Sequence, residues 1–257
     1  MPTVAVPQLA VDDLSVEANL TALAERTAAL PDDVDVALFP EYALTGFVDD
    51  GRLYDVALDR DGPELRRVRN VAGANDLALL VGYVEHDDGD YYNATAYVRP
   101  DGETTVYRKR HLWGSERDVL SRGDERVVVE TPVGRTGILT CYDLNFVAES
   151  AAFTRERTDA LFVTGAWPAA HSENWRLLLR ARALDGVRWV VGAGRTGSRQ
   201  VSGSTQTAYA GRSAVVRPDG AVATALNRDE RDLVAELDPE ILAEQRAFIP
   251  VFDEAVE

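Results

Sequence analysis

The chain has 257 residues, 46% of them hydrophobic and 27% charged, which is enough apolar content for a full core and excludes global disorder. A formal charge of −16 and a pI of 4.6 argue against nucleic-acid phosphates or an anionic membrane surface as partners. No apolar run approaches the roughly 20 residues of a membrane span, no signal-peptide pattern is present, and the one cysteine can form no internal disulfide, so a reducing cytoplasm is the expected compartment.

The chain alternates between strand-like and helix-like segments, as a mixed α/β protein does. Thr3 to Leu9 reads as a strand, and Ser15 can cap a helix with Val16, Leu20, Leu23 and Leu30 on one face. Val34 to Phe39 is a short apolar strand ending at Pro40-Glu41, and Leu65 to Asn75 reads as a helix. Strands follow at Leu77 to Glu85, Tyr92 to Arg99 and Glu103 to Arg108, the last two joined by a Pro-Asp-Gly turn. A polar loop, Lys109 to Arg126, precedes a strand at Val127 to Glu130. Ile138 to Thr140 reads as a buried strand delivering Cys141 at its C-terminal end, and Asp143 or Asn145 can cap the helix after it. A strand at Ala160 to Val163, a helix from Ser172 to Gly186 and a strand at Arg188 to Gly192 come next. The polar segment Gly197 to Thr207 reads as a loop near a site entrance. Ser213 to Arg217 and Ala221 to Leu226 form a second hairpin, and Asp232 to Leu237 leads to a short terminal helix.

No linker or composition shift divides the chain, so a single domain over 1–257 is expected. Val98-Arg-Pro-Asp-Gly102 recurs as Val216-Arg-Pro-Asp-Gly220, both times between strands. A favourable turn explains each occurrence; two similarly built halves of one sandwich would explain the pair.

Lys109 is the sole lysine among 27 basic residues, and it sits between two arginines. A compact ammonium where a planar guanidinium will not fit is the sharper explanation of its retention; chance is the other. The acidic, lysine-poor composition suits a high-salt cell, and an arginine-rich genomic bias would explain the lysine loss equally well. Cys141, at the junction of strand end and helix start, would lie in the field of unpaired N–H groups that favours the nucleophilic thiolate. A lone cysteine can also be an inert small hydrophobe. Glu41, Lys109 and Cys141 each follow a strand, and an acid, an ammonium and a thiol at strand ends can converge on one rim.

On these motifs the chain resembles the nitrilase, or carbon–nitrogen hydrolase, superfamily. The resemblance rests on Glu41 after a short strand, Lys109 in Tyr107-Arg-Lys-Arg-His-Leu112, and Cys141 in Cys-Tyr-Asp143. It extends through Glu116, Ala166-Trp-Pro168, the segment Trp175 to Leu184, Gly211-Arg-Ser213 and Pro218-Asp-Gly220. Asn145 stands where the family usually has Arg, and Gly194 where Asn is common. The resemblance implies a four-layer α-β-β-α sandwich, a homodimer or larger homo-oligomer, and hydrolysis of a non-peptide carbon–nitrogen bond through a thioester. In that scheme Cys141 is the nucleophile and Glu41 the general base and acid. Lys109 and the Tyr142 N–H hold the oxyanion, Glu116 orients Lys109 or the substrate, and Trp167 lines the pocket or belongs to the core.

A linear amide giving carboxylate and ammonia is the expected substrate. Nitrile or N-carbamoyl amine hydrolysis is the alternative within the class, and a non-catalytic or thiol redox-sensing protein the alternative outside it. No cofactor is implied. His86, His111 and His171 show no metal-ligand spacing, and Gly192, Gly194 and Gly197 match a dinucleotide-binding glycine pattern that no good helix follows.

Overall fold

The computed structural model describes residues 1–252; positions 253–257 of the expected domain lie outside the described residues. In chain order the elements are β1 (Thr3–Gln8), α1 (Val16–Ala28), β2 (Val36–Leu38), α2 (Pro63–Ala74), β3 (Ala78–Asp87), β4 (Asp90–Val98) and β5 (Thr104–Arg108). There follow α3 (Glu116–Val119), β6 (Val128–Thr131), β7 (Gly134–Thr140), α4 (Val147–Arg155), β8 (Ala160–Gly165), α5 (Ser172–Leu184) and β9 (Trp189–Gly194). The chain continues through β10 (Ser198–Arg199), β11 (Thr207–Ala208), β12 (Ala214–Val216), β13 (Val222–Ala225), β14 (Arg231–Glu236) and α6 (Pro239–Phe248).

Two six-stranded sheets carry the architecture, in the orders β14-β1-β2-β3-β4-β5 and β13-β12-β9-β8-β7-β6. Read from β14 and from β6, both run antiparallel, parallel, parallel, antiparallel, antiparallel. The recurring Pro-Asp-Gly turns link the last two strands of each sheet, which is the two-halves reading of the repeat.

Side-chain alternation sorts each strand between two cores. Val4, Val6, Val36 and Leu38 of one sheet meet Ile138, Phe162, Val191 and Val215 of the other in a central layer. The opposite face of the first sheet, with Ala5, Phe39, Leu79 and Val81, takes Leu20 and Leu23 of α1 and Leu65 and Val68 of α2. The opposite face of the second, with Leu139, Leu161 and Val163, takes Phe153 of α4 and Trp175 and Leu179 of α5. The result is the α-β-β-α sandwich. No helix among the described residues is long and apolar enough to cross a membrane.

Three local expectations need correction. Ser15 precedes α1 without a side-chain cap, because Asn19, one turn in, takes the neighbouring loop instead through Asp12 and Leu44. Asp143 and Asn145 do not cap the next helix: Cys141–Asn145 is its own 3-10 turn, and α4 begins only after Phe146. Part of the expected polar loop coils into α3, which brings Glu116 inward. The glycines of the dinucleotide-like pattern serve packing. A Cβ at Gly192 would meet Leu179 and Trp175, and one at Gly194 would fall 2.0 Å from the Gly211 carbonyl oxygen.

Candidate active site

Glu41 lies just beyond β2, Lys109 just beyond β5 and Cys141 just beyond β7. Gly82 of β3 sets how closely the first of these turns can approach, since a Cβ there would sit 2.6 Å from Tyr42 N and 2.9 Å from Glu41 Cα. The bulge-like turn holds Tyr42 at φ +59°, left-handed backbone that a non-glycine residue adopts at a cost.

Cys141 has φ +49° as well, so the chain reverses sharply at the thiol. Its turn is closed by Thr140 and Asp143, each side chain accepting from the other's backbone N–H. Asp143 is fully buried, and it also takes the Tyr107 hydroxyl at 2.7 Å, the His111 N–H at 3.0 Å and His111 Nδ1 at 2.9 Å. His111 in turn stacks on Phe146, with ring centroids 3.6 Å apart. One carboxylate thereby ties the cysteine turn to the lysine strand. Beneath it, the Thr95, Thr140 and Thr164 hydroxyls form a buried triangle with edges of 3.1 to 3.3 Å across the two sheets.

Lys109, Glu41 and Glu116 form a buried ion cluster. Lys109 Nζ donates to Glu41 Oε1 at 2.8 Å and reaches both Glu116 oxygens at 2.9 Å. Asn93 Nδ2 bridges the two carboxylates at 2.8 and 2.9 Å. Glu116 also accepts from the Tyr42 hydroxyl and from Trp113 N, and Glu41 Oε2 from Ala166 N at 2.6 Å. Burial would lower the Lys109 pKa, but the Glu116 and Glu41 carboxylates outweigh it and hold the group well above the ordinary ammonium range. It is a fixed cation.

The thiol behaves in the opposite sense to the sequence expectation. Cys141 is 8% exposed; burial pushes its pKa well up and the Glu41 charge pushes it further, against a smaller pull from Lys109. Two carboxylates against one ammonium leave a negative field at sulfur, and that overrides the few N–H groups of a short turn. The resting nucleophile is a neutral thiol beside a carboxylate.

Cys141 opens onto two adjoining spaces. One, of about 240 Å³, is bounded by Trp113, Tyr142, Asn145, Trp167 and His171. The other, of about 60 Å³, lies among Glu41, Lys109, Glu116, Arg199 and Tyr209. Tyr142 N is among the first donors of the 3-10 turn, which have no partner within the turn. Trp167 is both wall and core, 8% exposed and tilted against Trp175. The structure thus brings together all six residues singled out from the sequence. Asn93 and Tyr42 are additional. A polar residue in the buried stretch of a strand was the available signal for Asn93, and adjacency to Glu41 the signal for Tyr42.

Comparison with known proteins agrees with this geometry. Residues 3–247 match the family described as carbon–nitrogen hydrolase, and the chain belongs to that family. It is 33% identical over 231 residues to an (R)-stereoselective amidase of a Pseudomonas species, covering 90% of this chain and 83% of that one. It is 31% identical over 225 residues to a 2-oxoglutaramate amidase of Bacillus subtilis, covering 86% and 84%. Among solved structures, XC1258 of Xanthomonas campestris, a CN-hydrolase superfamily protein with an arsenic adduct in its active site, superposes with a TM-score of 0.90 at 27% identity, over 100% of this chain and 97% of that one.

Proposed function

We propose that the protein is an amidase that cleaves a linear amide to carboxylate and ammonia, with Cys141 as nucleophile. The observation that carries this is the buried Glu41–Lys109–Glu116 cluster opening on the same cavity as a thiol held at a sharp strand-end turn. The amidase names of the relatives above support the choice of bond.

The thiol proton passes to Glu41 as Sγ attacks the amide carbon, so no free thiolate need accumulate. Negative charge moves from the carboxylate to the carbonyl oxygen, where Lys109 Nζ and Tyr142 N–H offset it in a largely buried site. Collapse breaks the C–N bond, and the proton on Glu41 leaves with the amine. Water then loses a proton to Glu41 and attacks the thioester. The second collapse releases the acid, and the proton returns from Glu41 to sulfur. Glu116, Asn93 and Tyr42 fix the pose of the two charged groups.

Ammonia release from matched panels of amides, nitriles and N-carbamoyl amines tests the reading. Turnover of nitriles or carbamoyl amines alone would replace the substrate class; turnover surviving in Cys141→Ala would remove the mechanism. The same reading includes a homo-oligomer, for which exposed Phe248 and Leu177 offer apolar surface, and a cytoplasm rich in salt to which a charge of −16 is suited. Light scattering and unfolding across salt concentrations test these two points.

A further inference from the structure

The two spaces beside Cys141 differ in character. Glu41, Lys109, Glu116 and Arg199 border the smaller, of about 60 Å³, and none of them borders the larger, of about 240 Å³. Trp113, Tyr142 and Trp167 give the larger space three aromatic walls, completed by Asn145, His171 and Asn174. No carboxylate, lysine or arginine borders it. Asn145, where the family usually has Arg, supplies a neutral amide held on the Tyr142 carbonyl oxygen at 3.2 Å.

Two of the rings are held in place. The Trp167 indole N–H donates to the His171 carbonyl oxygen at 3.0 Å and its ring leans on Trp175, while Tyr142 meets Phe146 edge-on with centroids 5.2 Å apart. Trp113 is different. Its backbone N–H is fixed on Glu116 Oε2 at 2.7 Å, yet the residue is 51% exposed and borders both spaces. An exposed indole beside the nucleophile is apolar surface that a ligand can cover.

This division fixes how an amide lies. The leaving amine takes its proton from Glu41, so that end belongs in the smaller space, which has room for ammonia or water but not for a ring. The acyl substituent then falls in the larger one. A cavity of about 150 Å³ holds a benzene molecule, so about 240 Å³ takes an aryl ring with a linking methylene.

We propose that the larger space is an acyl-group site for a neutral aryl substituent packed against Trp113, Tyr142 and Trp167, making the preferred substrates primary amides of arylalkanoic acids. A charged acyl group finds no counter-charge on these walls and meets a protein of net charge −16, which repels an anion further. This inference rests on the amidase reading and names its substrate class.

The test compares phenylacetamide with propionamide, glutaramic acid and N-benzylacetamide, following the acid product by chromatography. The parent should favour phenylacetamide over each of the others by about tenfold or more in kcat/KM, the scale of discrimination an apolar pocket provides. Trp113→Ala should cut the phenylacetamide-to-propionamide ratio about tenfold, and Trp113→Phe, which keeps a ring, should hold it within about threefold. A parent that prefers propionamide or glutaramic acid, or a ratio that Trp113→Ala leaves unmoved, would overturn the proposal. N-benzylacetamide cleaved as well as phenylacetamide would overturn the assignment of the two ends. Binding of phenylacetamide to Cys141→Ala, by calorimetry, separates this inference from the reaction: it should weaken about tenfold in Cys141→Ala/Trp113→Ala. If no amide is cleaved yet that binding depends on Trp113, the amidase reading fails and the aryl site stands. If amides are cleaved and binding ignores Trp113, the aryl site fails alone.

Discussion

Replacing Glu116 by glutamine keeps the shape of the side chain and inverts half of its hydrogen bonding. The two carboxylate oxygens receive only donors: Lys109 Nζ on both, Tyr42 OH and Asn93 Nδ2 on Oε1, and Trp113 N on Oε2. A glutamine must place an NH2 against one of these sets. In the milder placement, at the Oε2 end, it opposes Lys109 and leaves Trp113 N without an acceptor. One charge-assisted bond at about 1.5–3 kcal/mol and one orphaned donor at about 1–3 kcal/mol give about 2.5 kcal/mol at the low end, and roughly 3 kcal/mol is the working value. A competing effect has the opposite sign, since the change removes one of two like charges in a buried cluster. The donor mismatch should win, because Asn93 and Lys109 already hold the two carboxylates together through contacts of 2.8 to 2.9 Å. Urea unfolding should therefore show Glu116→Gln less stable than the parent by about 3 kcal/mol, with kcat/KM on an amide down about 100-fold as Lys109 shifts. A variant as stable as the parent or more so, and active within threefold, would refute the view that Glu116 positions the ammonium.

Cys141→Ala should abolish turnover at an unchanged urea midpoint; residual activity above about one percent would count against the nucleophile. Lys109→Arg should be nearly inactive in the ammonia assay despite its charge, because a planar fork cannot meet Glu41 and Glu116 as a point donor does. Glu41→Gln should accumulate an acyl adduct on the Cys141 peptide when given a reactive ester, and intact-mass spectrometry showing free turnover without adduct would displace Glu41 as the base. Gly82→Ala should lower kcat/KM on an amide by about tenfold or more through displacement of the Glu41 turn, at a cost of no more than about 2 kcal/mol in urea unfolding; activity equal to the parent's would show that the close approach is not needed. Alkylation of Cys141 by iodoacetamide should still be accelerating above pH 9, since a raised thiol pKa leaves the thiolate scarce below it; a plateau below pH 8 would mean a thiolate at rest.

Glu41, Lys109 and Cys141 were legible because each follows a strand and two of them are the only residues of their type. Their convergence depends on pairing: β5 runs in the same direction as β2 and β3 because two antiparallel pairings separate it from β3, which brings the C-terminal ends of β2 and β5 to one edge. Asn93 was not legible in the same way. Its meaning depends on the register of β4 against β5, which sets the Lys109 N–H on the Asn93 carbonyl at 2.8 Å and so the amide between the two glutamates. Asp143 was visible but given the wrong partner. Its carboxylate turns back to Thr140 and across to Tyr107 and His111, contacts between segments that sequence proximity does not reveal. Arg199 sat in a segment read only as polar loop, whereas packing buries it as part of the cavity wall beside Cys141.

The protonation of Cys141 was the misjudged quantity, and its correction sharpens the chemistry. A turn of five residues offers a weak positive field, whereas Glu41 and Glu116 bring two full charges against the single charge of Lys109. Holding sulfur as a thiol keeps the proton available for the leaving amine, since Glu41 acquires it only as the bond to carbon forms. The net charge of the cluster is then the same before attack and at the tetrahedral stage; it moves from carboxylate to oxyanion, along the ammonium that touches one and faces the other. A thiolate at rest would add a third negative charge to the same buried space. The arrangement also disfavours a redox-sensing role, which calls for an exposed thiol of lowered pKa. Burial and the Glu41 charge move Cys141 away from both conditions, so the features that restrain the resting sulfur are the ones that supply its base.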